Sequence, residues 1–355
     1  MMATDARSDE IDLSVILCTH NPRPDYLRRT LDALRAQTVP PDRWELLLVD
    51  NSSTHRLADS WDLSWHPNGR HILESQLGLT SARLRGIAEA SSNLLVFVDD
   101  DNVLEPRFLE HVQEIHRAYP HLGVFGAGRL EPEFEILPPT ELKPRLSMLA
   151  LRTVDDALWS NNPTDFDSLP WGAGLVVTRR SATAYCKLLS LLNISEIVDR
   201  RGERLFCGGD DLFSWAAAAH GLGFGIFPQL RVTHLISAGR LTRSYFLRLM
   251  RDRAYSNGVM LYLVAGTSQS RLDMFAFGHL VFHGVRNGYF SFKCRLAEAR
   301  GREDAASFLA SNALRPFRRS QLTSAVVPSA PATTLEAEEL ALASATRSIC
   351  TTQKQ

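Results

Sequence analysis

Three adjacent carboxylates, Asp99, Asp100 and Asp101, stand directly after the apolar run LLVFV at 94–98. At that spacing they repel one another unless they are solvated or share a cation. Hard oxygen donors at a tight turn are what Mg²⁺ or Mn²⁺ takes, with substrate phosphate completing the shell. The competing use of the same residues is to cap the next helix. A second acidic pair, Asp210 and Asp211, follows Gly208 and Gly209. The glycines allow a sharp turn and close backbone approach, and one of two neighbouring carboxylates can hold its proton more tightly because of the other, which suits general base work. Capping is again the plain alternative. His234 follows a short apolar run and offers a further metal ligand beside Asp101 and Asp99, and Arg240, six residues on, is placed to reach a diphosphate.

These groups need elements to position them. LSVILCT at 13–19 is a continuous apolar run of strand length, broken by Asn21-Pro22. Leu27, Leu31 and Leu34 then recur at helical spacing. WELLLV at 44–49 is a second buried strand ending on Asp50-Asn51-Ser52-Ser53, 71–74 a short third, 81–90 a helix, and 94–98 a strand running into the Asp triplet. Strand and helix alternating over about 90 residues predict an α/β fold with a mostly parallel central sheet flanked by helices. Such sheets bind ligands at the carboxyl ends of their strands, and every polar cluster named so far stands at one. Further on, 106–119 predicts a helix, 123–128 a strand, 130–170 a Pro-rich irregular excursion, 171–178 a strand, 210–220 a helix and 225–234 one or two short strands. Residues 241–310 read as mainly helical.

Composition bounds the rest. The chain has 355 residues, 45% hydrophobic and 22% charged, which excludes a disordered protein and suits an enzyme-sized globule. The longest apolar run of the C-terminal half, 259–265, is far short of the roughly 20 residues of a membrane span. No apolar stretch precedes Ile11, so no secretory signal is expected. Five scattered cysteines, none in a C-x-x-C pair, fit reduced thiols of a cytoplasmic protein rather than disulfides or zinc. The net charge of −1 argues against nucleic acid as a partner, yet residues 1–239 carry −9 and 240–319 carry +9. An acidic front half suits a divalent cation, and a basic back half suits an anionic surface. The expected organisation is a disordered N-terminus at 1–11, a catalytic domain at 12–239, a helical basic extension at 240–319 and a disordered tail at 320–355.

The ordered segments Val15 to Asn21, Leu48 to Ser53, Ser81 to Ile87 and Phe97 to Asn102, then Trp171-Gly172-Ala173-Gly174 and Gly208-Gly209-Asp210-Asp211, resemble the motifs of family 2 glycosyltransferases with the GT-A fold. The resemblance covers about 12–250. It implies that Thr19, His20 and Asn21 line the nucleotide pocket, with His20 where the family commonly has Tyr. It implies that Asp50 holds the base and that Arg83 contacts base or phosphate. It matches Asp99, Asp100 and Asp101 to a DXD motif, the first two near the ribose and Asp101 on a Mn²⁺ or Mg²⁺ ion that bridges the diphosphate, with His234 as a further ligand. Asp210-Asp211 stands where many members have Glu-Asp, which makes Asp211, or else Asp210, the catalytic base. The activity implied is transfer of a single sugar from a nucleotide-diphosphate-sugar donor to a hydroxyl of a glycan or lipid-linked saccharide, metal-dependent and inverting. A non-processive enzyme is implied, because the Q/R-x-x-R-W motif of processive synthases is missing. The alternative is an inactive sugar-nucleotide-binding or scaffold protein of the same fold, which would be expected to lose the acidic clusters kept here. Arginines interleaved with aromatic and aliphatic residues through 241–290 raise the further expectation of peripheral contact with the inner face of the membrane.

Overall fold

The computed structural model describes residues 11–192, 208–267, 288–312 and 316. The polar N-terminus before Ile11, the tail from 320, and Arg271, Phe275, Phe277, Leu280, Phe282 and Arg286 of the basic segment lie outside the described residues.

β1 (Leu13–Thr19) and β2 (Trp44–Asn51) are buried along their whole length, so each is apolar throughout instead of alternating. With β3 (Gly69–Glu74) and β4 (Leu94–Asp99) they form a parallel half-sheet in the order β3-β2-β1-β4. α1 (Pro24–Arg35) turns Leu27, Leu31 and Leu34 onto one face of it, and α2 (Leu79–Glu89) packs Ala82 and Ile87 on the other. Gly86 lets α2 lie directly on β1, since any β-carbon there would collide with Ile16. The register sets Cys18 opposite Asp99 and Thr19 opposite Asp50. Three chemically active strand ends therefore share one edge.

Beyond β4 antiparallel strands join the sheet. β9 (Leu175–Thr178) lies antiparallel between β4 and β6 (Leu122–Phe134), while β10 (Gly223–Ile236) runs parallel to β6. The short strands β5 (Asn102–Leu104), β7 (Arg152–Thr153) and β8 (Leu158–Ser160) all pair antiparallel. Four of the nine pairings among the described residues are parallel, and these are the long ones, so the sheet is mostly parallel with short antiparallel additions. The excursion between β6 and β9 holds a 3₁₀ segment at Thr140–Leu149 and no α-helix, so the chain makes no βαβ crossover there and returns antiparallel. β10 is also one long strand, not two short ones, and its register slips between Phe227 and Arg231, where Pro228 has no N–H to offer.

α3 (Phe108–Ala118) covers β10 on one face, and α4 (Arg179–Leu192) and α5 (Asp211–Ala219) cover the other. The basic extension forms α6 (Arg243–Ala265) and α7 (Tyr289–Ser311). Phe246 and Leu249 pack with Leu142, Leu149, Ile236 and Leu241, and Val259, Met260 and Leu263 join the main core. Many apolar residues expected to face lipid thus face the protein instead. Among the described residues no helix is long and apolar enough to cross a membrane.

Candidate active site

The loops after β1 and β2 are knitted together. Asn21 and Ser52 both take left-handed backbone conformations, φ 47° and 58°, which short polar residues tolerate best. The Asn21 amide donates to Ser53 Oγ (2.9 Å), and Thr54 N–H donates to Asn21 Oδ1 (2.8 Å). His20 Nδ1 lies 2.8 Å from the Asn51 carbonyl and its Nε2 lies 3.1 Å from Asn21 Nδ2. A carbonyl can only accept, so His20 carries its proton on Nδ1 and accepts at Nε2. Its ring is fixed and exposed. Asp50 is buried, with one carboxylate oxygen accepting from Ser53 N–H and the other from Leu57 N–H, both at 3.0 Å. In this structure Asp50 shapes the loop that would border a base.

At the end of β4, Thr19 Oγ1 donates to the Asp100 carboxylate, and Thr30 Oγ1 donates to the Asp100 carbonyl at 3.1 Å. Burial pushes the Asp100 carboxyl up to about 7, the Thr19 bond opposes this, and the neighbouring Asp101 and Asp99 add to it. Asp101 turns the other way. Its Oδ2 is 3.3 Å from His234 Nε2 and 3.0 Å from Arg240 Nη1, and Leu235 N–H donates to its carbonyl (2.9 Å). β10 and β5 pair His234 with Asn102, which fixes this approach across 133 residues of sequence. The structure therefore joins Asp101, His234 and Arg240, three residues singled out from sequence alone.

Asp101 and His234 offer one hard oxygen and one imidazole nitrogen, a donor pair that suits Mn²⁺ or Mg²⁺. His234 Nδ1 is buried without a hydrogen-bond partner. Among the described residues no group of three or more His, Cys, Asp or Glu side chains is placed to hold an ion. Among the described residues the share of such a site is thus two ligands, and Asp99 is not gathered with them.

The opposite wall is built around Gly172. Its N–H donates to Asp210 Oδ2 at 2.7 Å, and a β-carbon at this position would lie 2.7 Å from Arg83 Nη2 and 3.5 Å from Asp210 Oδ2. Arg83 is buried, stands 5.9 Å from the centre of the Phe97 ring, and acts electrostatically on Cys18 together with Asp99. It therefore reaches from the β1 and β4 ends to the Gly172–Asp210 contact. Asp211 opens α5, and burial together with the charge of Asp210 holds its carboxyl well above the usual carboxylate range, against the opposing pull of Arg253 and Arg152.

Arg152 is the functional candidate that sequence reading missed. Its guanidinium stacks 3.6 Å over the Trp171 ring and donates to the Leu169 carbonyl at 2.7 Å. It faces Asp211 and Asp210, and burial lowers its own pKa to about 10. A single Arg in a Pro-rich excursion gives no pattern to find it by. The nearby Trp171-Gly172 motif was the only pointer.

Residues 14–151 match the family model for glycosyl transferase family 2. The matched segment, less than half of the chain, is similar to glycosyl transferase family 2. The match takes in Thr19, His20, Asn21, Asp50, Arg83 and the Asp triplet and ends before Arg152, so Arg152, Gly172, Asp210 and Asp211 lie beyond it. Validoxylamine A glucosyltransferase of Streptomyces hygroscopicus subsp. limoneus is 30% identical over 185 residues, 45% of this chain and 39% of that protein. The glycosyltransferase AglE of Haloferax volcanii is 31% identical over 101 residues, 28% of this chain and 33% of its own length. The chain thus spans well under half of these relatives. The crystal structure of S. aureus TarS 1-349 in complex with UDP-GlcNAc has a TM-score of 0.46 at 13% identity, over 87% of this chain and 93% of that one. The sheet of this chain joins a parallel β3-β2-β1-β4 half to a mixed β9-β6-β10-β5 half.

Proposed function

We propose that this chain is a family 2 glycosyltransferase that transfers a single sugar from a nucleotide-diphosphate-sugar to an acceptor hydroxyl, with inversion. The observation that carries the reading is the pairing of two acidic centres across Arg83 and Gly172. One, at the end of β4, brings a carboxylate and an imidazole together as ligands for a cation, and the other, at the start of α5, holds a proton-hungry carboxylate. His20 and Asn21 offer a fixed, exposed face to a nucleotide base, and Asp50 holds the bordering loop. Asp101 and His234 would hold a divalent ion, which when bound neutralises charge developing on the leaving diphosphate. Arg240 supplies positive charge at the same place. Asp211 takes the acceptor proton, Asp210 pins the Gly172 loop, and Arg152 restrains the proton affinity of Asp211. No carboxylate is assigned as a covalent nucleophile, so one in-line displacement is the economical course.

Incubation with UDP-, GDP- and TDP-sugars, with Mn²⁺ or Mg²⁺, tests this reading. Release of nucleoside diphosphate by the wild type and its loss in Asp211→Asn support it. Tight donor binding with no turnover on any acceptor would favour the inactive binder. Proton NMR of the product's anomeric coupling reports inversion directly.

For the acceptor, we propose a glycan or lipid-linked saccharide reached at the cytoplasmic face of a membrane. The supporting feature is a cationic-aromatic corner at the start of α7. Tyr289 is 71% exposed, Lys293 Nζ lies 4.7 Å from the Tyr289 ring centre, and Arg243 lies 5.9 Å from that of Phe290. Sedimentation with anionic and neutral vesicles decides it. Binding to anionic vesicles alone, weakened by salt, is the expected result.

A further inference from the structure

Arg240 occupies the position a metal ion would need. Its Nη1 is 3.0 Å from Asp101 Oδ2 and 3.0 Å from His234 Nε2, while those two atoms are 3.3 Å apart. Ligands on adjacent corners of an octahedron, each about 2.1 Å from the ion, stand about 3.0 Å from one another. The carboxylate oxygen and the imidazole nitrogen are therefore already spaced for one small divalent ion. The guanidinium bridges the same two atoms, so both cannot be used at once.

The arginine's pose is also incompletely satisfied. Arg240 Nε and His234 Nδ1 are both buried without a hydrogen-bond partner. Buried donors left unpaired favour an alternative in which they find partners. The backbone under Arg240, by contrast, is well held. The 3₁₀ turn Ala238–Leu241 is tied at one end by Ala238 N–H donating to Glu135 Oε2 (2.7 Å) and sunk at the other by buried Leu241. Glu135 is itself clamped by both terminal nitrogens of Arg23 at 3.0 Å. The backbone stays while the side chain has somewhere to go. A diphosphate takes a guanidinium in two parallel hydrogen bonds, and the Tyr245 ring centre is 6.0 Å from the guanidinium carbon.

We propose that Arg240 is an exchangeable internal cation. With no donor present it bridges Asp101 and His234 and keeps divalent ions out. The donor's diphosphate draws it off, and the vacated pair then takes the ion. Ion and donor therefore bind together with mutual reinforcement, and a free ion binds poorly. This rests on the reading of Asp101 and His234 as ion ligands.

The test is calorimetric titration of Mn²⁺ into the full chain, alone and with UDP or GDP, for wild type, Arg240→Gln and Arg240→Gln/His234→Ala. Circular dichroism and thermal melts first establish that each variant is folded. Without nucleotide, Arg240→Gln is expected to bind Mn²⁺ at least tenfold tighter than wild type, and the double variant to lose that gain. Whichever nucleotide binds is expected to tighten Mn²⁺ at least tenfold in wild type and clearly less in Arg240→Gln. Equal affinity of wild type and Arg240→Gln without nucleotide, with ordinary tightening by nucleotide in both, overturns the exchange and leaves the ion site standing. No Mn²⁺ binding to any variant under any condition overturns the ion site itself. Arg240→Lys keeps the charge but not the fork, and is expected to fall between wild type and Arg240→Gln.

Discussion

Asp211→Asn separates the roles assigned to the two acidic centres. Burial and the charge of Asp210 raise the Asp211 proton affinity, and Arg253 and Arg152 hold that rise in check. A positioned general base contributes roughly 10²- to 10⁴-fold, about 3–5 kcal/mol of transition-state stabilisation. Asn keeps the shape and cannot take a proton. Turnover at saturating donor should fall by about 10² or more, while donor affinity, measured by calorimetry with a nucleotide-sugar, changes by less than about threefold. In wild type, kcat/KM should rise with pH through the raised value, well above pH 4, and that limb should vanish in the variant. Stability carries the same sign. The folded-state pKa lies above the unfolded one, so the Asp211 contribution is fully present below pH 4 and is lost as pH rises through the folded value. Each tenfold change in proton affinity is worth about 1.4 kcal/mol, and Asp211 keeps some exposure, so Asp211→Asn should gain about 1–3 kcal/mol over wild type at alkaline pH and nothing near pH 4. Collapse of donor binding with turnover preserved, or a limb at the ordinary carboxylate position, would refute the assignment.

Gly172→Ala sets a β-carbon 2.7 Å from Arg83 Nη2. It should cost about 1–3 kcal/mol in chemical denaturation, in line with overpacking of tight sites, and lower kcat/KM more than stability, because Arg83 and Asp210 are both displaced. Arg152→Met removes a cation facing Asp211, so the rising limb of the kcat/KM profile should move to higher pH, with Arg152→Lys restoring most of it. Arg179→Met tests a buried cation with no catalytic assignment. Arg179 donates to the carbonyls of Ile87, Ala90 and Ser92 at 2.6–2.8 Å, and leaving them unmet should lower stability by about 3–5 kcal/mol in urea titration without changing donor affinity.

The parallel half of the fold was legible because its strands are buried on both faces. LSVILCT, WELLLV and LLVFV advertise their state without tertiary information, and the polar residues that end them mark the ligand edge. The mixed half was not. β6 runs past the predicted 128 to Phe134, through Glu131 and Glu133, which are exposed and carry no strand signal. What holds it is parallel pairing with β10 across Arg231 to Ile236, a contact between segments about 100 residues apart. β7 and β8 are two and three residues long and are held by their neighbours alone.

The site divides along the same line. Carboxylates clustered in sequence, at Asp99 to Asp101 and at Asp210-Asp211, could be found because adjacency is itself the signal. Cations come singly and act across the fold. Arg83 is 89 residues from Gly172, Arg152 reaches Asp211 from the far side of Trp171, and Arg240 meets Asp101 over 139 residues. Sequence therefore shows where negative charge is concentrated, and only the folded chain shows which positive charge answers it. That asymmetry bears on mechanism. In the proposed reading the acidic residues would carry the chemistry, Arg152 would restrain the proton affinity of Asp211, and Arg240 would govern access of an ion to Asp101.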